Sequence, residues 1–227
     1  MSKIRLPLAL LGGLALALAS YGVAFASSPS EASFAWPLAA SIAGFLAPVG
    51  LILIASGGSP EERAVPTAMA GLAAIGLAVV CYLACGFAFQ FGGIGLFSKL
   101  PGLEGLTWEW SPMDVAWGLG WGALGLHGFF LSGDASTPAA YALFLSQLPL
   151  VATAILTPAL TLRKAARSFV LVLGAIFTSA MLYPMLGNWV WGGGWLANLG
   201  SNLDMGHGFV DCAGAGMVNL LGGTVAL

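Results

Sequence analysis

The chain has 227 residues, of which 59% are hydrophobic and only 7% charged, and its formal net charge is −2. A soluble domain carries about 25% charged residues, so a mean hydropathy of +0.93 leaves too little polar material to cover a wet surface. Apolar runs longer than ~18 residues, with no polar–apolar alternation, mark an all-α integral membrane protein rather than a barrel, and no basic–aromatic interleaving points to nucleic acid.

Lys3 and Arg5 precede an apolar run from Leu6 to Ala19, and Ala24-Phe25-Ala26 stands before Ser27. Basic start, apolar middle and small-x-small end give residues 1–26 the layout of a signal peptide. The alternative is an uncleaved N-terminal helix, since Leu6–Phe25 just spans a bilayer. Cleavage is favoured because Ser27–Ser33 is polar and a complete span, Phe34–Ser56, follows. The polar turn Gly57–Arg63 leads to a second span, Pro66–Phe89, whose Gly71, Gly76 and Gly86 permit close helix contact. Gly92–Pro138 is a long connection in which Trp108, Trp110, Trp117 and Trp121 suit a membrane–water boundary. Within it, the Gly-studded stretch Val115–Leu131 is expected to form a short or re-entrant helical segment. Ala139–Leu162 is the third span, Arg163-Lys164-Ala165-Ala166-Arg167 a basic turn, Ser168–Trp191 the fourth span, and Phe209–Leu227 begins a fifth. Arg63 and Arg163–Arg167 share one side, which the positive-inside rule makes cytoplasmic, leaving Gly92–Pro138 and Gly192–Gly208 outside.

Candidate chemistry is sparse. Cys81 and Cys85 share a helix face and Cys212 lies among small residues. Two thiols and two dispersed histidines do not make a metal site, so the cysteines read as small buried hydrophobes and no cofactor is expected. No nucleophile–base pair is visible, so an enzyme is disfavoured. The richest stretch is Asn188–Val225, with three tryptophans around Gly192-Gly193-Gly194 and Asp211 opening a helix of small residues. Asp211 is an N-cap, a carboxylate that stabilises an incoming cation, or both. Trp191 is an interfacial-belt residue or a cation–π recruiter.

Tyr183-Pro184, Asn188-Trp189-Val190-Trp191-Gly192-Gly193-Gly194-Trp195-Leu196, and Asp211-Cys212-Ala213-Gly214 with Gly216-Met217-Val218 resemble the ammonium transporter (Amt/Mep/Rh) family. Gly125-Leu126-His127-Gly128 and Phe144-Leu145-Ser146-Gln147 are similar to the same family, and the resemblance runs from about Phe34 to the end, strongest after Pro138. It implies a bundle built from two inverted halves of five helices and a final helix. Residues 27–227 correspond to the first half, with the chain ending inside a helix, so a second half is expected. It also implies homotrimers or a larger membrane complex in a cell membrane, the bacterial inner membrane, with ammonium or ammonia as substrate and an apolar pore as route.

By the same resemblance Trp191 is the recruiting indole and Asp211 shapes the outer site without touching the ion. Phe144 keeps the aromatic one turn before the outer gate, Leu148 stands where the gate phenylalanine is expected, and Asn219 stands where the first pore histidine is expected. Leu162 replaces an acid before the basic turn. Histidine exchanges a proton near neutral pH and an amide does not. Two readings follow: an ammonium transporter, or a conduction-impaired relative serving as scaffold, sensor or accessory.

Overall fold

The structure, a computed structural model, describes residues 32–113, 117 and 120–227. The signal-peptide or N-terminal-helix segment, residues 1–26, lies outside the described residues. The rest is helical: α1 (Ala32–Gly44), α2 (Leu46–Gly57), α3 (Glu61–Cys81), α4 (Phe87–Phe91), α5 (Pro138–Thr161), α6 (Ser168–Phe177), α7 (Tyr183–Val190), α8 (Trp195–Asn202) and α9 (Ala215–Ala226). Four helical stretches among the described residues are long and apolar enough to cross a membrane: Leu38–Gly57, Glu61–Leu96, Pro138–Thr161 and Ser168–Asn202. The chain is therefore an all-α multi-pass membrane protein. α9 continues a shorter apolar stretch, Cys212–Ala226.

The bundle is organised around α5, which packs against α1, α2, α3 and α9. Thr137 caps it by accepting the Ala140 N–H at 3.1 Å, and Pro138 takes the first turn, where its missing N–H costs nothing. Its neighbours approach at small residues, as membrane helices do without a hydrophobic force between them. A Cβ on Gly71 of α3 would sit 2.7 Å from Ile52 of α2, and one on Gly222 of α9 would sit 3.1 Å from Thr157 of α5. The outer surfaces of α1, α2, α3 and α6 expose Ile42, Ile54, Val65 and Phe169, the composition of a lipid-facing wall.

Two spans contain a π-turn. Tyr82–Gly86 joins α3 to α4, and Thr178–Leu182 joins α6 to α7. The turns pack on each other: a Cβ on Gly86 would lie 2.9 Å from the Ser179 carbonyl oxygen, and the Cys85 thiol points at the Ala180 carbonyl at 3.8 Å.

The long connection departs from expectation. Of the expected segment Val115–Leu131, Val115, Ala116, Gly118 and Leu119 lie outside the described residues and Trp117 is helical; from Gly120 on it is no continuous helix, since Leu124–Gly125 (β2) pairs antiparallel with Glu109–Trp110 (β1) and Phe129–Leu131 forms a short helical turn. Gly120 (φ +106°) and Gly128 (φ +88°) hold left-handed conformations that no helix interior accommodates, which is why apolar composition misled there. Phe34–Ser56 is likewise interrupted, at Phe45 between α1 and α2.

Candidate functional site

The end of the bundle opposite the Arg163–Arg167 turn carries the turn after α7. Gly192 and Gly194 both direct their N–H groups to the Asn188 carbonyl at 3.0 Å, and Gly193 sits at φ +87°. The turn lies so close to α4 that a Cβ on Gly192 would collide with the Gln90 carbonyl oxygen. Asn188, fully buried, donates to that same carbonyl at 3.0 Å. Trp195 then donates its backbone N–H to Gly122, and the Trp189 indole donates to Ala123, both at 2.9 Å, which pins the β2 loop over the turn. Trp189 and Trp195 meet edge to face at 5.6 Å.

Trp191 is half-buried at this rim and packs against the central apolar cluster. Its indole N–H donates to the Asp211 carbonyl oxygen at 3.4 Å. The Asp211 carboxylate accepts from Gly216 at 2.9 Å and from Met217 at 2.8 Å. The acid is thus separated in sequence from the start of α9 yet caps it. Ala213 (φ +55°) and Gly214 (φ +73°), two successive left-handed residues, fold the chain back to allow this. Both the dipole of α9 and its free N–H groups favour the charge. One residue therefore ties the end of α7 to the beginning of α9, with a half-buried negative charge beside an indole.

Phe144 and Leu148 are both buried on α5, one turn apart, in the cluster against which Trp191 packs. Phe144 stacks on Tyr82 with ring centroids 5.6 Å apart and meets Phe87 edge to face at 6.3 Å. Asn219 is not brought to them. Met217, Val218 and Leu221 turn inward on α9, whereas Asn219 and Leu220 are exposed on its other side, and the Asn219 amide donates to the Ala215 carbonyl at 2.7 Å. His127 and His207 both lie in connections between the spans, His127 3.3 Å from Asp134 and His207 exposed. Cys212 is exposed, against the expectation of a buried thiol, because the left-handed turn after Asp211 lifts it to the surface. Among the described residues no three His, Cys, Asp or Glu side chains gather as metal ligands.

Sequence reasoning missed a buried polar chain beneath the rim. Tyr82 donates to Gln90 Oε1 at 2.8 Å, Gln90 donates to Gln147 Oε1 at 3.1 Å, and Tyr183 donates to the same oxygen at 2.8 Å. These links join three spans across the level of the π-turns. Amides inside apolar spans were the available signal, since such groups require partners.

The profile of the Ammonium Transporter Family matches residues 35–227. The chain is 27% identical over 199 residues to the ammonium transporter Amt2 of Archaeoglobus fulgidus, covering 86% of this chain and 36% of that protein. It is 29% identical over 142 residues to the ammonium transporter of Bacillus subtilis, covering 61% of this chain and 32% of that one. Over 55 residues, 24% of this chain and 12% of the relative, identity to the ammonium transporter Amt1 of Methanocaldococcus jannaschii reaches 47%. The chain spans roughly a third of the length of the Archaeoglobus Amt2 and Bacillus subtilis relatives.

Proposed function

The chain belongs to the Ammonium Transporter Family, and from that premise we propose that it forms the first half of a membrane conduit for ammonium or ammonia, with cation recruitment at the Trp191–Asp211 rim. The observation that carries this reading is the direct link between the two residues, the indole N–H on the Asp211 carbonyl at 3.4 Å. Because both carboxylate oxygens are engaged by α9, Asp211 acts through its field rather than as a ligand. The indole supplies the contact. Cation–π attraction of roughly 0.5–2 kcal/mol raises local ammonium occupancy about 2- to 30-fold. Phe144 and Leu148 form the apolar layer beneath, and Asn219 faces the side that a second half completes. The assembly is a homotrimer or larger complex in the bacterial inner membrane.

The test is methylammonium uptake by the complete protein carrying Trp191→Leu. Uptake at low substrate falls about 2- to 30-fold if the indole recruits; unchanged uptake removes Trp191 from the route. A second reading, a conduction-impaired scaffold or sensor, is favoured by one feature: an amide, Asn219, occupies the position expected for a proton-exchanging imidazole.

A further inference from the structure

The buried polar chain beneath the rim ends on an amide with one side unused. Gln147 Oε1 accepts from Gln90 Nε2 at 3.1 Å and from the Tyr183 hydroxyl at 2.8 Å, while Gln90 Oε1 accepts from the Tyr82 hydroxyl at 2.8 Å. Both amides are fixed in this sense. Turning them over would leave the hydroxyl protons of Tyr82 and Tyr183, which are fully buried, without acceptors. Gln147 Nε2 is therefore directed away from the chain. Among the described residues it makes no hydrogen bond, and it is not sealed in as the Asn188 Oδ1 is. Gln147 shares a buried face of α5 with Phe144, Leu148 and Val151. Its partner Tyr183 opens α7 eight residues before Trp191, so the chain sits two turns, about 12 Å, beneath the rim. A donor without an acceptor is costly in apolar surroundings. These N–H groups can be satisfied only by a molecule that brings a lone pair. Ammonia, methylamine and water do; ammonium and alkali cations do not, and their charge meets the positive end of the amide dipole.

We propose, resting on the conduit reading above, that Gln147 determines specificity in the layer of Phe144 and Leu148: its Nε2 donates to the lone pair of an uncharged amine and turns back cations, alkali ions included. Ammonium drawn to the rim breaks one N–H bond there and gives the proton to the outer water. The electron pair of that bond stays on nitrogen and is what the amide meets. Indole and amide then act in opposite senses, the first concentrating the cation and the second admitting only its conjugate base. Tyr183 and Gln90 are positioning residues, since they hold Oε1 and so keep Nε2 facing outward.

Uptake of methylammonium and of Rb⁺ by proteoliposomes of the complete protein tests this. The parent is expected to take up methylammonium and to leave Rb⁺ at the level of protein-free vesicles. Gln147→Glu keeps one oxygen for Gln90 and Tyr183 and puts a second where the amide N–H groups were. It is expected to raise Rb⁺ uptake about tenfold, the scale of one contact with a charged group, and to lower KM and Vmax for methylammonium together. Uptake is measured at about pH 7 and about pH 9.5, because burial raises a carboxyl. Tyr82→Phe loosens the chain but leaves Tyr183 on Gln147, and is expected to keep Rb⁺ out. A parent that takes up Rb⁺ as readily as methylammonium overturns the proposal, whether or not Gln147→Glu folds. So does folded Gln147→Glu that excludes Rb⁺ and keeps the parent's methylammonium kinetics at both pH values. Equal Rb⁺ entry in Tyr82→Phe also overturns it, because loosened packing would then be the cause. A parent that takes up neither solute overturns the conduit reading itself, and the role of Gln147 with it.

Discussion

Replacing Gln147 with leucine removes the acceptor on which the buried polar chain converges. Gln147 is 8% exposed, and its Oε1 takes the Gln90 amide at 3.1 Å and the Tyr183 hydroxyl at 2.8 Å; Gln90 and Tyr183 are fully buried. Leucine fills similar space, so little cavity forms. What is lost is satisfaction: two donors are left in an apolar interior without water. An intermolecular-style sum of bond energies underestimates this, since interhelical hydrogen bonds in membranes average only about 0.6 kcal/mol net. Stranding a buried donor costs about 1–3 kcal/mol, so Gln147→Leu should destabilise by about 2–6 kcal/mol. Tyr183→Phe removes one stranded donor, and the double variant Gln147→Leu/Tyr183→Phe should lie at least 1 kcal/mol above the sum of the singles in stability. Unfolding of the detergent-solubilised complete protein, followed by tryptophan fluorescence, measures both. A single variant within about 0.5 kcal/mol of the parent, the range of an ordinary surface change, would refute the reasoning; so would strict additivity.

Gly192→Ala places a methyl group into the Gln90 carbonyl, where only backbone can yield. Loss of folded protein on size-exclusion chromatography is expected, with a cost of about 3 kcal/mol if any folds, the upper end of the usual range for overpacking. Asp211→Ala frees the N–H groups of Gly216 and Met217 and should lower stability by about 1–2 kcal/mol, read by thermal unfolding. Asn219→His should raise methylammonium conduction by the complete protein in proteoliposomes; a parent that already conducts and is unaffected by the change would remove Asn219 from the pore.

The spans were readable because lipid enforces composition: Ala139–Leu162 was expected and α5 runs Pro138–Thr161. The fourth span was expected to close at Trp191, and α7 ends at Val190. The rim was readable through its glycines and through Asp211, whose capping role followed from helix physics, although the route by which it reaches α9 did not. That route needs Ala213 in a left-handed conformation, which nothing in an alanine announces. The connection before α5 was misjudged for a related reason: apolar residues there pack on one another in a looped structure tied by Gly92, whose carbonyl accepts the Trp108 N–H at 3.0 Å. The amides were there to be noticed but their pairing was not, because Gln90 and Gln147 are 57 residues apart and only the crossing of α4 and α5 makes them partners.

The paired π-turns make each of these two spans a jointed column. An extra residue within a turn shifts everything beyond it by about 100° around the axis, so the lipid-facing shafts of α3 and α6 are phased independently of the rim-bearing tips α4 and α7. Removing one residue from Tyr82–Gly86 would rotate Phe87 and Gln90 out of the interior while leaving the shaft below undisturbed. Residue counting along either span therefore misaligns its two ends, and the rim can be re-aimed by a single insertion or deletion at the joint without refashioning the exposed apolar surface of the shafts.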